Sequence, residues 1–152
     1  CNSEILVNAS LSGINNCGEV DVTLELYSTD GGVLTSLNET VNNSGEFDFV
    51  VPDSGPYDIL IRLENHLWVL VPNFTTDGNT VLTAGPFTPG DYNGDNIING
   101  VDFSLFASSF FAEEEDPEYD VKYDLNCDAV INGVDFSLFA SGFFAEGDDI
   151  TP

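Results

Sequence analysis

A sixteen-residue sequence that occurs twice places the strongest constraint on the fold of this chain. Residues 98–113 read INGVDFSLFASSFFAE, and residues 131–146 repeat them with one difference, Ser109 against Gly142. Self-similarity at a fixed spacing marks a duplicated structural unit. Each copy is preceded by Asp and Asn at alternate positions, DYNGDN before the first and DLNCDA before the second. The sequence therefore predicts an acidic loop followed by a helix, twice.

The spacing of oxygen-bearing residues in these loops is typical of a calcium site. Calcium takes about six to eight oxygen ligands, and a twelve-residue loop supplies them from positions 1, 3, 5, 7, 9 and 12. The predicted ligands of the first loop are Asp91, Asn93, Asp95, Ile97 (through its carbonyl), Asn99 and Asp102. Those of the second loop are Asp124, Asn126, Asp128, Val130 (through its carbonyl), Asn132 and Asp135. We expect two calcium ions; the alternative is a pair of Asx-rich turns that only cap the helices.

Two further loop positions carry predictions. Position 6, where the chain turns sharply, is Asn96 in one loop and Ala129 in the other. Asn tolerates a positive φ there, whereas Ala pays on the order of 1 kcal/mol, so we expect the second loop to be the weaker one. Ile98 and Ile131, at position 8, should point inward and couple the two loops through a short backbone pairing.

The two predicted helices are apolar on two faces. Phenylalanines at helical spacing form one face, which should pack as a two-helix core. Its members are Phe103, Phe106, Ala107 and Phe110, repeated as Phe136, Phe139, Ala140 and Phe143. The opposite face carries Val101, Leu105 and Ala112, repeated as Val134, Leu138 and Ala145. This second face either binds a partner or packs on the rest of the chain.

The first half of the chain predicts a β-sandwich. Apolar residues alternate with polar ones in short segments, for example at Val20, Val22, Leu24 and Leu26, and turn sequences separate the segments. About seven short strands indicate an antiparallel sandwich of the immunoglobulin or prealbumin type. We predict a β-sandwich over residues 1–86, a linker at 87–90 that is too rich in Pro and Gly for a helix, and the calcium-binding part over 91–152.

Charge narrows the possible partners. The chain has 27 acidic residues against two basic ones, for a formal net charge of −25. Nucleic acids and anionic membrane surfaces attract clustered Lys and Arg, so neither is an expected partner. Bound cations are expected instead. No apolar run reaches the roughly 18 residues of a membrane-spanning helix.

Cysteines and glycosylation sequons indicate an exported protein, extracellular or at the cell surface. Cys1 has two interpretations: a lipid-modified N-terminus, which would be the only membrane attachment, or a disulfide with Cys17 that leaves Cys127 unpaired. The sequence N-x-S/T occurs four times, all in the first half, and predicts N-linked glycans at Asn8, Asn38, Asn42 and Asn73.

Two family resemblances follow from these residues. The segment SGEFDFVVPDSGPYDILIRL resembles carboxypeptidase-regulatory-like and Cna-B-like β-sandwich modules. The two D-x-N-x-D-x-x-x-N-x-x-D loops, each followed by a helix and lacking an entering helix, resemble a dockerin domain over about residues 90–147. The dockerin resemblance implies a non-catalytic, calcium-binding module that docks onto a cohesin domain. It also implies that loop positions 10 and 11 and nearby helix residues form the partner surface. Those residues are Gly100, Val101, Leu105, Gly133, Val134 and Leu138.

These observations predict an assembly protein and not an enzyme. His66 is the only histidine, and no nucleophile–histidine arrangement is credible with it alone; we expect it at a strand edge. The partner is a cohesin-like domain or identical subunits joined head to tail in a filament. The alternative is a carbohydrate-binding accessory module, with Trp68 and the tyrosines as stacking residues.

Overall fold

Seven strands form two sheets among the described residues of the first 84. The computed structural model describes residues 4–13, 17–30, 32–42 and 44–149. The strands are β1 (Ile5–Leu11), β2 (Val20–Ser28), β3 (Val33–Val41), β4 (Glu46–Val51), β5 (Tyr57–Leu63), β6 (Val69–Phe74) and β7 (Val81–Ala84). They are ordered β4-β1-β7 in one sheet and β3-β2-β5-β6 in the other. Paired strands are antiparallel except β1 and β7, which are parallel. The predicted antiparallel sandwich is confirmed, with this one parallel pair.

The alternating residues of the strands form the core between the two sheets. Val22, Leu24 and Leu26 of β2 are buried, while Asp21 is exposed. This is the burial that a period of two requires, since successive side chains point to opposite faces of a sheet. Phe87 lies in the same core, although the sequence places it in the linker. The predicted domain boundaries stay a prediction.

Two short helices follow the sandwich. Helix α1 is Gly100–Ala107 and α2 is Gly133–Ala140, and a 3₁₀ turn at Val121–Tyr123 lies between them. Both helices are shorter than the apolar pattern predicts, so Phe110 and Phe143 lie in the turns that follow them. No helix in the described part of the chain is long and apolar enough to cross a membrane.

The helices pack through their phenylalanines as predicted. Phe106 and Phe139 are fully buried, and their rings stack with centroids 5.4 Å apart and planes 8° from parallel. Ile98 and Ile131 complete the centre of this second core. Leu67 also belongs to it, so the sandwich contributes a side chain to the helical core.

The two repeats are paired crosswise. Both Ile98 and Ile131 point inward, as expected, but they do not bond to each other. The backbone of Ile98 bonds to Phe144 and Ala145, which follow α2, at N···O distances of 2.7 and 3.0 Å. The backbone of Ile131 bonds in the same way to Phe111 and Ala112, which follow α1, at 2.6 and 2.9 Å. Each loop is therefore held by the end of the other repeat, and neither repeat is complete alone.

Backbone contacts join the sandwich directly to the helical part. The N–H groups of Gly90 and Asp91 both donate to the carbonyl of Asn65, and the N–H of Leu67 donates to that of Thr88. His66 forms a bridge with Pro89 and is almost fully buried, so the prediction of a strand-edge histidine is wrong. Burial lowers the pKa of His66 to about 4, so the ring is neutral at physiological pH.

A disulfide makes a second connection between the two parts. Cys17, just before β2, is bonded to Cys127 in the second acidic loop, at a sequence separation of 110. The predicted Cys1–Cys17 pair and the unpaired Cys127 are therefore wrong, and Cys1 lies outside the described residues. Disulfide partners are decided by which segments meet in space, and the sequence carries no sign that residue 17 reaches the second loop.

The four predicted glycosylation sites are accessible. Asn8 lies on β1, Asn38 on β3, Asn42 in the turn after β3 and Asn73 on β6, and all four are exposed. Their positions allow glycosylation, which stays a prediction.

Candidate metal centres and docking surface

Three carboxylates converge in each acidic loop. Asp91, Asp95 and Asp102 each place an oxygen within 4.8 Å of the other two, and Asp124, Asp128 and Asp135 do the same in the second loop. In each triad the first and third carboxylates are buried, and the middle one is exposed. Carboxylates this close repel one another, so the arrangement suits a hard cation held between them.

Backbone N–H groups orient the first carboxylate of the loop. Asp91 Oδ1 accepts hydrogen bonds from the N–H groups of Gly94 and Asp95, at 3.0 and 3.1 Å. Its Oδ2 accepts from the N–H of Asn96 at 2.9 Å. The backbone reaches this geometry through a positive φ at Gly94 (76°) and Asn96 (67°). The loop thus curls around Asp91.

The last carboxylate of the loop joins it to the helix. Asp102 Oδ1 accepts from the N–H groups of Tyr92 and Asn93, at 2.8 and 3.2 Å, and Oδ2 accepts from the N–H of Asn99 at 2.9 Å. Asp135 makes the equivalent three bonds in the second loop, at 2.8, 3.3 and 2.9 Å. A residue predicted only as a ligand therefore also connects the start of the loop to the first turn of the helix.

Two predicted ligands have a structural task that sequence reasoning missed. The side chains of Asn99 and Asn132 cap α1 and α2, accepting from the N–H groups of Val101 and Val134 at 3.0 and 2.9 Å. With the aspartate three residues on, each forms a capping box. The N-x-x-D spacing in the sequence was the available signal for this capping role.

The predicted ligands at loop position 3 lie beside the middle carboxylates. Asn93 Nδ2 donates to Asp95 Oδ2 at 3.2 Å, and Asn126 Nδ2 donates to Asp128 Oδ2 at 3.1 Å.

The two candidate sites differ in their electrostatic surroundings. Arg62 of β5 lies 3.7 Å from Asp91, whereas the hydroxyl of Tyr119 donates to Asp124 at 2.7 Å. Burial raises the pKa of Asp91, and the N–H of Asn96 and the charge of Arg62 only partly oppose this. Burial likewise raises the pKa of Asp135. Burial penalises the charged form of these two carboxyl groups, so a bound cation would strongly stabilise that charged form.

The second loop contains the unfavourable backbone that the sequence predicts. Ala129 has a φ of 69°, and Cys127 has a φ of 61° where the first loop has glycine. An L residue in this left-handed region costs on the order of 1 kcal/mol relative to glycine. We therefore expect Ala129→Gly to stabilise the second loop by about 1 kcal/mol, and so to raise its calcium affinity roughly fivefold at 25 °C.

Calorimetric calcium titration of Ala129→Gly beside Ala140→Gly checks this expectation. Ala140 is the matched control, because it is an exposed alanine of the same repeat that lies in α2, where glycine relieves no positive φ and only weakens the helix. An equal gain in calcium affinity at both positions would contradict the strain interpretation.

Neither helix exposes a charged side chain. The only charged residues within α1 and α2 are Asp102 and Asp135, which are buried. Val101 and Val134 are 54% and 53% exposed, and Leu105 is exposed as well. In a chain of net charge −25, the two helices therefore present a surface without an exposed charge of its own.

The structure places most of the predicted interface residues on this neutral surface. Gly100, Val101, Leu105, Gly133 and Val134 are exposed, and Leu138 is half-buried. Ala112 and Ala145 do not belong to it. They lie beyond the helix ends in the crosswise pairing described above, so the prediction that they continue the second face is wrong.

Sequence reasoning missed two parts of the apolar surface. Phe103 and Phe136, predicted in the core, stay 39% and 37% exposed, and they line an apolar cavity of about 330 Å³ with Ala140 and Phe143. Phe111 and its repeat Phe144 are largely exposed as well. The Phe-Phe pair in each repeat was the signal for these last two, because only one of two adjacent residues can face a helical core.

Comparisons with known proteins agree with the loop spacing. Residues 89–141 match the family model of the dockerin type I domain, which confirms the predicted resemblance for that part of the chain. Comparison with curated proteins finds no match. The resemblance of the first half to carboxypeptidase-regulatory-like and Cna-B-like modules stays a prediction.

Two similar solved structures cover nearly the whole chain. Both are crystal structures of a type II cohesin–X–dockerin complex from Acetivibrio cellulolyticus, one a C-terminal and the other an N-terminal interface mutant. The first match has a TM-score of 0.74 at 21% identity and covers 96% of this chain and 99% of that chain. The second has a TM-score of 0.65 at 20% identity, with coverages of 97% and 99%. At these identities the likeness concerns the fold alone.

Proposed function

We propose that this chain is a non-catalytic assembly protein that docks through its helical pair onto a cohesin-like domain of another protein. One observation carries the proposal: both helices present a neutral, largely apolar surface on a chain of net charge −25. The central part of a protein–protein interface is depleted of charged residues. The dockerin type I match over residues 89–141 and the cohesin-bound state of the similar solved structures support a cohesin-like partner.

Calcium is the expected organiser of this surface. The donor set of each loop consists of hard oxygens, and the three carboxylates of each triad already face one another. We propose that each loop holds one calcium ion through its six predicted ligands. Bound calcium would offset the repulsion among the carboxylates. Asp102 and Asp135 would then link each ion directly to the first turn of a helix, and so to the docking surface.

An extracellular or cell-surface setting fits the same features. The Cys17–Cys127 disulfide requires an oxidising compartment to persist, and the four sequons are exposed on the sandwich. Free calcium is abundant outside cells, where sites of modest affinity fill. A filament of identical subunits is less favoured, because every copy carries the same large negative charge and copies repel at low salt.

The docking proposal is tested by introducing charge into the neutral surface. We expect Val101→Glu together with Val134→Glu to weaken binding to a panel of type I and type II cohesins at least tenfold, because a charge at the centre of an interface is left unpaired on burial. Each single variant should retain most of the binding, since the other repeat still offers its own copy of the surface. Calorimetry in calcium buffer measures the affinities, and circular dichroism checks that the helices persist.

Val33→Glu serves as the matched control, since Val33 is also exposed but lies on β3 of the sandwich. It should bind as the unmodified chain does. Unchanged binding of the double variant would place the interface elsewhere. Calcium-dependent polymers in light scattering, without binding to any cohesin, would favour self-assembly instead.

A further inference from the structure

A cleft lies between the sandwich and the first acidic loop, away from the docking surface. Its volume is about 440 Å³, within the range that holds small ligands. The outer face of the four-stranded sheet lines one side, and the acidic loop and the chain after α2 line the other. The lining residues are Glu25, Tyr27, Leu60, Trp68, Gly94, Asp95, Asn96, Asp148 and Asp149.

The lining combines two aromatic rings with four carboxylates. Trp68 and Tyr27 are both half-buried, and no Lys or Arg lines the cleft. Of the two basic residues of the chain, Arg62 lies beside Gly94 and pairs with Asp91, and Lys122 pairs with Asp120. A calcium ion in the first loop would take up the charge of Asp95, which still leaves three carboxylates facing the cleft.

Hydrogen bonds join the segments that form the walls of the cleft. The N–H of Trp68 donates to Asn96 Oδ1 at 3.0 Å, and the Trp68 carbonyl accepts from the N–H of Asp148 at 2.9 Å. Asp148 Oδ2 also accepts from the N–H of Leu70 at 2.9 Å. The Tyr27 hydroxyl donates to Glu25 Oε1 at 3.2 Å. A ligand therefore meets a largely preformed site and orders little of the chain on binding.

We propose that this cleft binds the guanidinium group of an arginine side chain carried by a basic peptide segment. A guanidinium stacks on the face of an aromatic ring and donates hydrogen bonds to carboxylates in its own plane, so it uses both kinds of lining residue at once. A neutral sugar would also stack on Trp68 and donate its hydroxyls to the carboxylates, but it would leave their negative charge uncompensated. The site stands apart from the helices, so the inference does not rest on the proposed docking function.

Trp68 provides a direct probe, because it is the only tryptophan in the chain. The probe ligand is acetyl-Gly-Arg-Gly-amide, titrated into calcium-saturated protein at constant ionic strength while the tryptophan fluorescence is recorded. The control peptide carries citrulline, which has nearly the same shape as arginine without its charge. We expect a saturable change with arginine and an affinity for citrulline at least about tenfold weaker.

Carboxylate variants locate the binding. Glu25→Gln together with Asp148→Asn should weaken the affinity for the arginine peptide about tenfold or more, since both groups keep their shape but lose their charge. Glu115→Gln removes one charge from the connection between the two loops, outside the cleft, and should have no effect. Circular dichroism verifies that all variants fold.

Three results would overturn the inference. They are no saturable response to the arginine peptide, an equal response to the citrulline peptide, or a response to cellobiose in place of arginine, which would indicate a carbohydrate site. The variant with Val101→Glu and Val134→Glu should bind the arginine peptide normally. Failure of the docking proposal and failure of this inference are therefore separate outcomes.

Discussion

Chelation of calcium is expected to unfold the helical part of the chain and to leave the sandwich folded. The first and third carboxylates of each triad are buried within 4.8 Å of each other, and without a cation their repulsion opposes folding. The helices have eight residues each, too few to persist without their loops. At a calcium concentration about 1,000 times the dissociation constant, each site contributes about 4 kcal/mol to stability.

Circular dichroism measures this effect as a loss of helical signal in excess chelator, restored by added calcium. Asp102→Ala should reproduce part of the loss in calcium, because it removes both a ligand and three hydrogen bonds to the backbone. Asp116→Asn, which changes an exposed carboxylate between the loops, is the control. Helices that persist unchanged in chelator would favour the simple alternative of Asx-rich turns that only cap them.

Replacing Phe139 by alanine is expected to unfold the helical part even when calcium is present. Phe139 is fully buried, stacks on Phe106 and contacts the rings of Tyr92 and Phe143, both with centroids 5.9 Å away. Removing a buried phenylalanine side chain costs about 3–5 kcal/mol. A core made of two eight-residue helices and their loops has little more stability than that to lose.

Phe144→Ala is the matched control, because Phe144 belongs to the same repeat but is 77% exposed. It should change the free energy of unfolding by less than about 1 kcal/mol. Urea unfolding in saturating calcium, followed by helical circular dichroism, compares the two variants. Equal and small effects would mean that the stacked rings do not form the centre of the helical core.

Local spacing was enough to predict much of this molecule. The alternation in β2 predicts its buried face, and the D-x-N-x-D spacing predicts which carboxylates converge, because both patterns act within a few residues of the chain. The positive φ at Ala129 follows from the position of the turn in the loop. The repeat also predicted that the two phenylalanine faces pack against each other, since duplicated helices with the same apolar face can bury it together; the stack of Phe106 on Phe139 came from the structure.

Other features required the tertiary structure. The alternation of β1 does not reveal that it pairs in parallel with β7. Position 8 of the loop predicts that Ile98 is buried, but not that its backbone bonds to the end of the other repeat. The helical spacing also predicted that Phe103 and Phe136 belong to the helical core. Both side chains are partly exposed at its edge, because helices of eight residues are too short to cover them.

The sequence by itself determined two acidic loops that bring carboxylates together, two helices with a shared phenylalanine face, and a separate β-sandwich. Each of these depends on residues near one another in the chain, where geometry follows from spacing. The tertiary structure alone decided the Cys17–Cys127 disulfide, the contact of Arg62 with Asp91 and the cleft beside Trp68. These features join segments far apart in sequence, and such contacts depend on how whole elements pack, which no local pattern records.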